Sequence, residues 1–313
     1  MELFLAVVSL VAGFVLLVKG ADYFVDGAVG IAARFGIPQL VIGLTIAAMG
    51  TSAPEAAVSI TSALKGSAGI TVGNVVGSNI MNILVILGLT SVITPVAVKK
   101  STRNIEIPGM IAITVLFLLL GYTGGVIIRY EGVILWVVFI GYLLYLLWIA
   151  KHNKDEEESE PERKWKLPVQ LIAIVGGIAA IVIGSDLAVD GATAIAKVFG
   201  MSDRIIGLTI VALGTSLPEL VTSVTAARRG KADIAIGNIV GSNIFNILFV
   251  AGTTALITPV AFAQNFIIDT IIAIAASVLL LVCVCNKEMK LKRAGGTIML
   301  VGYLGYLAYL LMA

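Results

Sequence analysis

Two glutamates stand directly after prolines in strongly apolar parts of the sequence. Glu55 ends the run GTSAPE and Glu219 ends the run GTSLPE, in a chain of 313 residues of which 59% are apolar. A carboxylate at the centre of a bilayer costs at least about 2.5–3.5 kcal/mol on insertion scales. Because two such anions need positive charge beside them, the sequence predicts a cation site at these glutamates.

Each proline also opens the helix that carries its glutamate. Proline has no N–H to donate four residues back, so Pro54 frees the carbonyl of Gly50, and Pro218 frees that of Gly214. An unpaired carbonyl in hydrocarbon costs several kcal/mol unless protein, water or an ion satisfies it. The two breaks therefore place bare backbone oxygens beside the two carboxylates.

Hydroxyl and amide side chains recur around each glutamate at helical spacing. Residues three or four apart lie on one face of a helix. In the first half these residues are Thr51, Ser52, Ser59, Asn74, Ser78 and Asn82, and in the second half they are Thr215, Ser216, Ser223, Asn238, Ser242 and Asn246.

This set contains oxygen ligands without thiolate or imidazole, which favours hard cations. Calcium takes about 6–8 oxygens in flexible geometry, and two carboxylates balance its charge. Hydroxyls and freed carbonyls suit sodium in the same cavity. A shared, mutually exclusive site of this kind is what an exchanger of the two ions requires.

The polar side chains also have structural interpretations. Serine and threonine hydroxyls often bond to carbonyls of their own helix, and asparagines can join neighbouring helices. Gly73 with Gly77, and Gly237 with Gly241, match a spacing typical of close helix packing. The structural interpretation is weakest for the two glutamates, because a carboxylate at membrane depth is costly to keep for packing alone.

Composition indicates an all-α integral membrane protein. Charged residues make up only 13% of the chain and the mean hydropathy is +1.05, whereas about 25% of a soluble domain is charged. A net charge of +2 without a basic and aromatic cluster excludes nucleic-acid binding. Since about 20 apolar residues span a bilayer, the sequence predicts ten transmembrane helices. They lie near residues 3–33, 38–64, 69–97, 105–122, 127–150, 168–198, 204–227, 232–260, 266–285 and 295–312.

The positions of lysine and arginine predict the orientation. With the N-terminus placed outside, 16 of the 21 basic residues fall in cytoplasmic connections and four in outer ones. Basic residues accumulate on the cytoplasmic side of membrane proteins. Both termini are therefore predicted outside, and the central acidic loop in the cytoplasm.

The sequence contains an internal repeat. Residues 43–96 and 207–260 align without a gap at an offset of 164 residues. Each copy holds five spans, and because five is odd the second copy is inverted in the membrane. The predicted architecture has residues 1–150 as the first five-helix repeat, 151–167 as a cytoplasmic acidic linker and 168–313 as the inverted second repeat. Broken helices 2, 3, 7 and 8 are predicted at its core, with the substrate site between the copies.

The other reactive residues give little indication of function. Cys283 and Cys285 lie in one apolar run and predict buried free thiols, and the single histidine, His152, excludes a histidine-based site. Without a histidine or lysine base near a serine, an intramembrane hydrolase is also disfavoured. Four aspartates are expected to serve structure or gating rather than ion binding: Asp22, Asp26, Asp186 and Asp190.

The paired blocks GTSxPE and GN(V/I)VGSN resemble the α-repeats of the sodium/calcium exchanger family, within the cation/calcium antiporter superfamily. The chain is similar to the compact prokaryotic members, because no large regulatory domain separates its halves. The resemblance implies a secondary active antiporter, not an enzyme, that exchanges sodium for calcium by alternating access in a prokaryotic plasma membrane. Calcium, sodium and the bilayer are the implied partners, without a cofactor or an obligate protein partner.

The resemblance also implies roles for individual residues. Calcium would be bound by Glu55 and Glu219 with backbone help from Thr51 and Thr215. Sodium would be bound by Ser52, Ser78, Ser216 and Ser242 with the carbonyls of Ala48 and Ala212, while Asn82 and Asn246 would line the central site. The implied exchange is electrogenic, since more sodium charge moves inward than calcium charge moves outward.

Alternatives to this function stay open at this point. Some relatives, notably the potassium-dependent ones, carry an aspartate at the position of Asn246, so the asparagine favours potassium-independent exchange. Potassium-dependent or proton-coupled calcium exchange is the nearest alternative. A calcium-selective channel is the alternative from another class, and it would not need sodium on the opposite side of the membrane.

Overall fold

The computed structural model describes residues 2–64, 69–152, 165–200, 214 and 216–312 of the chain. Helices make up nearly all of this part, which confirms the predicted all-α class. Seven of the described helices are long and apolar enough to cross a membrane, or eight if one bent pair counts as a single span. The protein is therefore a multi-pass membrane protein. Most of the predicted acidic linker, and residues 204–213 and 215 of the predicted span 204–227, lie outside the described residues.

The first half contains six helices and two short strands. The helices are α1 (Glu2–Phe35), α2 (Gln39–Thr51), α3 (Ala53–Leu64), α4 (Gly69–Met81, continued through the π-helical turn Asn82–Leu87 to Gly88–Ile93), α5 (Thr102–Gly124) and α6 (Arg129–His152). The strands are β1 (Val96–Ala97) and β2 (Val126–Ile127).

The second half repeats this order in the part that is described. Its helices are α7 (Leu167–Val198), α8 (Leu217–Arg228), α9 (Ala232–Phe245, continued through the π-helical turn Asn246–Ala251 to Gly252–Ile257), α10 (Gln264–Val284) and α11 (Arg293–Met312). The strands are β3 (Val260–Ala261) and β4 (Lys290–Leu291).

The long helices α1 and α7 pack antiparallel along glycines spaced seven residues apart. On α1 these are Gly13, Gly20 and Gly27, and on α7 they are Gly177, Gly184 and Gly191. A Cβ atom on Gly20 would lie 2.8 Å from the carbonyl oxygen of Gly177, and one on Gly184 would lie 2.8 Å from that of Gly13. Because no side chain fits such a gap, the glycines allow the two backbones to touch.

The strands pair across the two halves. β1 pairs with β4 and β2 pairs with β3, both antiparallel. The register joins Val96 to Leu291 and Ile127 to Val260, and the 164-residue offset of the sequence repeat converts the first pair into the second. Exchanging the two halves therefore converts one strand pair into the other, as a pseudo-two-fold symmetry requires.

Helices α4 and α9 form the centre of the molecule. In the most apolar stretch of α9, 94% of the residues are buried, against 22% for α1 and 22% for α6. The outer helices expose large apolar side chains instead, such as Val137 on α6 and Ile172 on α7. In a membrane protein such exposed apolar faces meet lipid, so the polar residues of α4 and α9 lie in the protected interior.

The prediction that helices 3 and 8 are broken is wrong. Their counterparts α4 and α9 are continuous, and each only widens into a π-helical turn that begins at Asn82 or Asn246. Neither helix contains a proline, so every backbone N–H can still donate within the helix. The predicted helix 2 is broken, because the axes of α2 and α3 differ by 46°. Pro54 lies just after this bend, in the first turn of α3.

Two of the four aspartates singled out in the sequence, Asp22 and Asp26 of α1, pair with the residue that follows α8. Arg229 forms ion pairs with both Asp22 and Asp26, the former at 2.7 Å. The three side chains are between 30% and 42% exposed. These contacts agree with a structural or gating role for the two aspartates rather than a role in ion binding.

Candidate ion-binding site

Glu55 and Glu219 are buried at equivalent positions, each in the first turn of a helix. Both side chains are 1% exposed. The helix α3 of Glu55 starts after Ser52, and the helix α8 of Glu219 starts after Ser216, where the backbone leaves helical geometry. The free N–H groups of a helix start favour a negative charge. Among the described residues no lysine or arginine forms an ion pair with either glutamate.

The structure places the predicted site residues in the interior wherever it describes them. Buried residues of this set are Ala48, Thr51, Ser52, Glu55, Ser78, Asn82, Ser216, Glu219, Ser242 and Asn246. The remaining two, Ala212 and Thr215, lie outside the described residues.

Three contacts bring residues of the two halves together. The Ser52 hydroxyl donates to Glu219 Oε1 over 2.8 Å, and the Thr51 hydroxyl lies 3.1 Å from Asn238 Oδ1. The Ser242 hydroxyl donates to the carbonyl of Ala48 over 3.4 Å. The side chains around the two glutamates therefore form one site between the halves.

Several buried oxygens of these residues lack a hydrogen-bond donor in the described part of the chain. They are Glu55 Oε2, Glu219 Oε2, Asn82 Oδ1, Asn246 Oδ1 and Ser216 Oγ. An unpaired buried polar atom costs about 1–3 kcal/mol, and more when it is charged. Because a cation satisfies oxygens without supplying hydrogens, this is the pattern expected of a cation site.

The two asparagines Asn79 and Asn243 orient the site and were missed in the sequence. Asn79 donates to the carbonyl of Asn243 over 3.1 Å, and Asn243 donates to the carbonyl of Asn79 over 3.2 Å. Their side-chain oxygens accept from Asn246 Nδ2 over 3.2 Å and from Asn82 Nδ2 over 2.9 Å. Since the amide nitrogens of Asn82 and Asn246 are thereby engaged, their oxygens are the atoms left for an ion.

Asn74 and Asn238 instead join neighbouring helices. Asn74 donates to the Glu55 carbonyl over 3.1 Å and to Ser59 over 2.9 Å. Asn238 makes the same pair of contacts in the second half, to Glu219 and Ser223. These bonds tie each glutamate-bearing helix to the central helix that follows it.

One of the carbonyls freed by proline already has a protein donor. The Ser185 hydroxyl of α7 donates to the carbonyl of Gly214 over 2.7 Å. The equivalent position in α1 is Ala21, which has no hydroxyl to offer to Gly50. Of the two carbonyls that the sequence predicts to be freed, the one of Gly214 is therefore satisfied by a protein hydroxyl, and the one of Gly50 has no equivalent hydroxyl on α1.

The carboxylate content of the site limits the ions it suits. Within the described residues there is no group of three or more His, Cys, Asp or Glu side chains that could hold a metal ion. The site has two carboxylates, and its other oxygens are neutral. Such a mixture suits a transported hard cation better than a permanently bound transition metal.

Removing the orienting amide tests this geometry. Asn243→Ala would leave Asn82 Nδ2 without its acceptor and free the amide to turn its nitrogen toward the site. We expect calcium affinity to fall about tenfold or more, which corresponds to about 1.4 kcal/mol. Isothermal titration of purified protein with calcium measures this.

Thr254→Val is the matched control, because the Thr254 hydroxyl is buried on the same helix and donates only to its own helix at Val250. The control is expected to keep the affinity of the unaltered protein. Equal affinities for Asn243→Ala and the unaltered protein would contradict the orienting role.

The chain is similar to known proteins over nearly its whole length. The model of the family described as sodium/calcium exchanger protein matches residues 5–148 and 169–312. The chain is 40% identical to the putative antiporter CaxA of Alkalimonas amylolytica, over 98% of this chain and 99% of that protein. It is 33% identical to the sodium/calcium exchanger MaX1 of Methanosarcina acetivorans, over 96% and 97% of the two chains.

A solved structure has the same fold. The structure of the sodium/calcium exchanger from Methanococcus jannaschii superposes with a TM-score of 0.84 at 32% identity, over 96% of this chain and 97% of that one. The family consists of exchangers, which are transporters rather than enzymes. Because the family model matches both halves of the sequence and the relatives align over nearly their full length, the chain belongs to the sodium/calcium exchanger family.

Proposed function

We propose that the protein exchanges sodium for calcium across the membrane by alternating access. The observation that carries this proposal is the set of buried oxygens without donors, two of them from glutamates, between the two halves of the chain. Two carboxylates balance one calcium ion, whereas sodium ions need only neutral oxygens and part of that charge. Calcium and sodium therefore compete for the same oxygens.

Individual ligands are assigned as follows. Glu55 and Glu219 bind calcium with backbone help from Thr51 and Thr215, and Asn82 and Asn246 turn their oxygens toward the central site. The sodium sites are completed by hydroxyls and carbonyls, namely those of Ser52, Ser78, Ser216, Ser242, Ala48 and Ala212. Contacts that support this assignment are the bond from Ser52 to Glu219 and the bond from Ser242 to Ala48.

We also infer ten spans in two inverted five-helix repeats, with both termini outside and the central loop in the cytoplasm. The pairing of strands across the halves and the matched glycines of α1 and α7 support the repeat. The distribution of lysine and arginine supports the orientation. The protein then resides in the plasma membrane of a prokaryotic cell.

Exchange in this scheme is electrogenic and independent of potassium. More sodium charge enters than calcium charge leaves, and the site has only two carboxylates to hold cations. A channel is the competing function. A channel requires a continuous wet path, whereas the two described glutamates are 1% exposed.

Uptake of radiolabelled calcium into proteoliposomes tests the proposal. We expect uptake when sodium is loaded inside and diluted outside, and the same uptake with or without potassium. The uptake rate should rise with a membrane potential that favours sodium exit. Calcium flux of equal size without sodium on the opposite side would indicate a channel and would contradict exchange.

Replacing Asn246 by aspartate is expected to alter which cations are coupled to calcium transport. Asn246→Asp would lose the bond from Asn246 Nδ2 to Asn79 Oδ1 and add a third carboxylate to the buried site. Because a third negative charge there needs another cation, calcium transport should become sensitive to potassium or to pH. The measurement is proteoliposome uptake across a potassium series and a pH series.

The control for this change is Asn104→Asp, which adds a carboxylate at an exposed position beside Arg103. It is expected to transport like the unaltered protein. If Asn246→Asp transported calcium identically throughout both series, the assigned place of Asn246 in the site would be wrong.

A further inference from the structure

The hydroxyl of Ser185 joins helix α7 to the candidate ion-binding site. It donates to the carbonyl of Gly214 over 2.7 Å, and the serine is only 4% exposed. Gly214 precedes Ser216 by two residues and Glu219 by five, so the bond reaches the segment that carries the candidate ligands of the second half. A Cβ atom on Gly214 would collide with Val189, one helical turn further along α7. Helix α7 therefore packs directly on this segment and holds it through one buried hydrogen bond.

Helices α1 and α7 are joined to each other along much of their length. Their backbones touch from Gly13 to Gly27 of α1, which is about 21 Å of helix. The Ser9 hydroxyl of α1 also donates to the carbonyl of Leu187 on α7 over 2.9 Å. A movement of either helix relative to the ion-binding site therefore carries the other helix with it.

The two halves of the chain meet this helix pair differently. The offset of 164 residues converts Gly214 into Gly50, Ser185 into Ala21 and Val189 into Val25. However, the three atoms nearest a Cβ atom on Gly50 all belong to Ile178 of α7, the first at 2.6 Å. Both glycines therefore pack against α7 rather than each against its own half, and of the two Gly214 is the one that receives a hydroxyl.

The inverted repeat defines the opposite conformation. When two inverted repeats rock about a fixed site, the pseudo-two-fold makes the arrangement of one half available to the other. Helix α1 would then lie on both glycines, with Val25 against Gly50 and Ala21 beside the Gly50 carbonyl. Phe14 of α1, the equivalent of Ile178, would lie against Gly214, whereas it is 46% exposed in the described conformation. Because Ala21 has no hydroxyl, this opposite conformation lacks the bond that Ser185 makes.

The ion pairs at the end of α1 do not distinguish the two conformations in this way. Arg229 pairs with Asp22 and Asp26 in the described conformation. The 164-residue offset keeps an aspartate at both equivalent positions of α7 and places a second basic residue, Lys65, at the equivalent of Arg229. The charges of these ion pairs are thus repeated in both halves, whereas the hydroxyl of Ser185 is not.

We propose that Ser185 is a positioning residue that stabilises the described conformation of the exchanger over the opposite one. The proposal rests on the proposed exchange by alternating access. In the described conformation the buried Gly214 carbonyl has a donor. In the opposite conformation it loses Ser185, and Ala21 offers nothing to Gly50. A buried carbonyl without a donor is costly, so the conformation with α7 on both glycines is the resting one.

Distances between spin labels, measured by pulsed electron paramagnetic resonance in lipid nanodiscs, test this role. Labels are placed at the exposed positions Val198 of α7 and Tyr122 of α5, in a chain whose Cys283 and Cys285 are replaced by alanine. We expect two distances, and the one of the described conformation should predominate.

Ser185→Ala removes the bond from the described conformation, and Ala21→Ser adds the missing hydroxyl to the opposite one. Each variant should lower the ratio of described to opposite conformation about fivefold. Since the two changes act on different helices and different carbonyls, the double variant should lower the ratio about twenty-five-fold. A loss of a hydroxyl on α7 and a gain of one on α1 are thus expected to act in the same direction.

Ser277→Ala is the matched control, because the buried Ser277 hydroxyl donates to Ala273 of its own helix α10 over 2.8 Å. It should leave the ratio unchanged. Two distances whose ratio is the same in Ser185→Ala and Ala21→Ser as in the labelled parent would overturn the positioning role alone, even if Ser185→Ala lowered the melting temperature. A single distance in every variant would overturn alternating access, and the positioning role with it.

Discussion

Replacing either Glu55 or Glu219 by glutamine is expected to abolish calcium exchange. Each change keeps the size of the side chain and removes one of the two charges that balance calcium. Both side chains are 1% exposed, so water cannot compensate for the lost charge. Removing one partner of a buried charge pair costs about 3–5 kcal/mol, which corresponds to roughly a hundredfold or more in calcium affinity.

Calcium uptake by proteoliposomes and calcium titration of the purified variants measure this effect. Glu131→Gln is the matched control, because Glu131 is also a buried carboxylate but accepts from the backbone N–H of Ile128 at the start of α6. Glutamine keeps an oxygen for that bond, and transport should persist. Normal uptake by either Glu55→Gln or Glu219→Gln would refute the assignment of both glutamates.

Adding a side chain between α1 and α7 is expected to have the second large effect. A Cβ atom on Gly177 would lie 2.8 Å from the carbonyl oxygen of Gly20 and 2.8 Å from the backbone nitrogen of Phe24. Backbone atoms cannot move aside as a flexible side chain does, so Gly177→Leu must separate the two helices. We expect loss of transport and a melting temperature at least several degrees lower, or failure to fold.

The neighbouring glycine supplies the control. Gly176 lies one position away on the same helix, and a Cβ atom there would meet nothing within 4 Å. Because leucine also favours a helix over glycine, Gly176→Leu should be as stable as the unaltered protein and transport normally. Thermal unfolding in detergent and proteoliposome uptake compare the two variants. Equal behaviour of both would show that α1 and α7 do not touch as described.

Much of the framework could be predicted from apolar segments and their breaks. The predicted span 168–198 corresponds to α7 at Leu167–Val198, and the predicted span 127–150 to α6 at Arg129–His152. Long apolar runs between charged residues leave few alternatives for such helices. Breaks were harder to predict, because helices 3 and 8 were expected to be broken, whereas the backbone of α4 and α9 continues through π-helical turns.

Within the candidate site, the sequence indicated the two glutamates but not the asparagines that orient the neighbouring amides. Glu55 and Glu219 could be found because a carboxylate in an apolar run is unusual. Asn79 and Asn243 lie off the four-residue stripe of their helices, and only the contact between the halves shows their reciprocal bonds. The signal that could have found them is their shared place in the repeated GSN blocks.

The asymmetry between the halves was equally hidden. The Ser185 hydroxyl donates to the Gly214 carbonyl from another helix. The residue equivalent to Ser185 in the first half is Ala21, which has no hydroxyl. Spacing within one helix cannot reveal a donor on another. Sequence repetition therefore indicated where the two halves are alike, and tertiary contacts were needed to show where they differ.

Equilibrium binding of radiolabelled calcium to the purified protein under rising sodium tests the central claim most directly. If two glutamates and the neighbouring donor-free oxygens form one shared site, each chain should bind calcium that sodium displaces competitively, and Glu219→Gln should bind none. Calcium binding that persists at high sodium, or that survives in Glu219→Gln, would contradict a shared site at these residues.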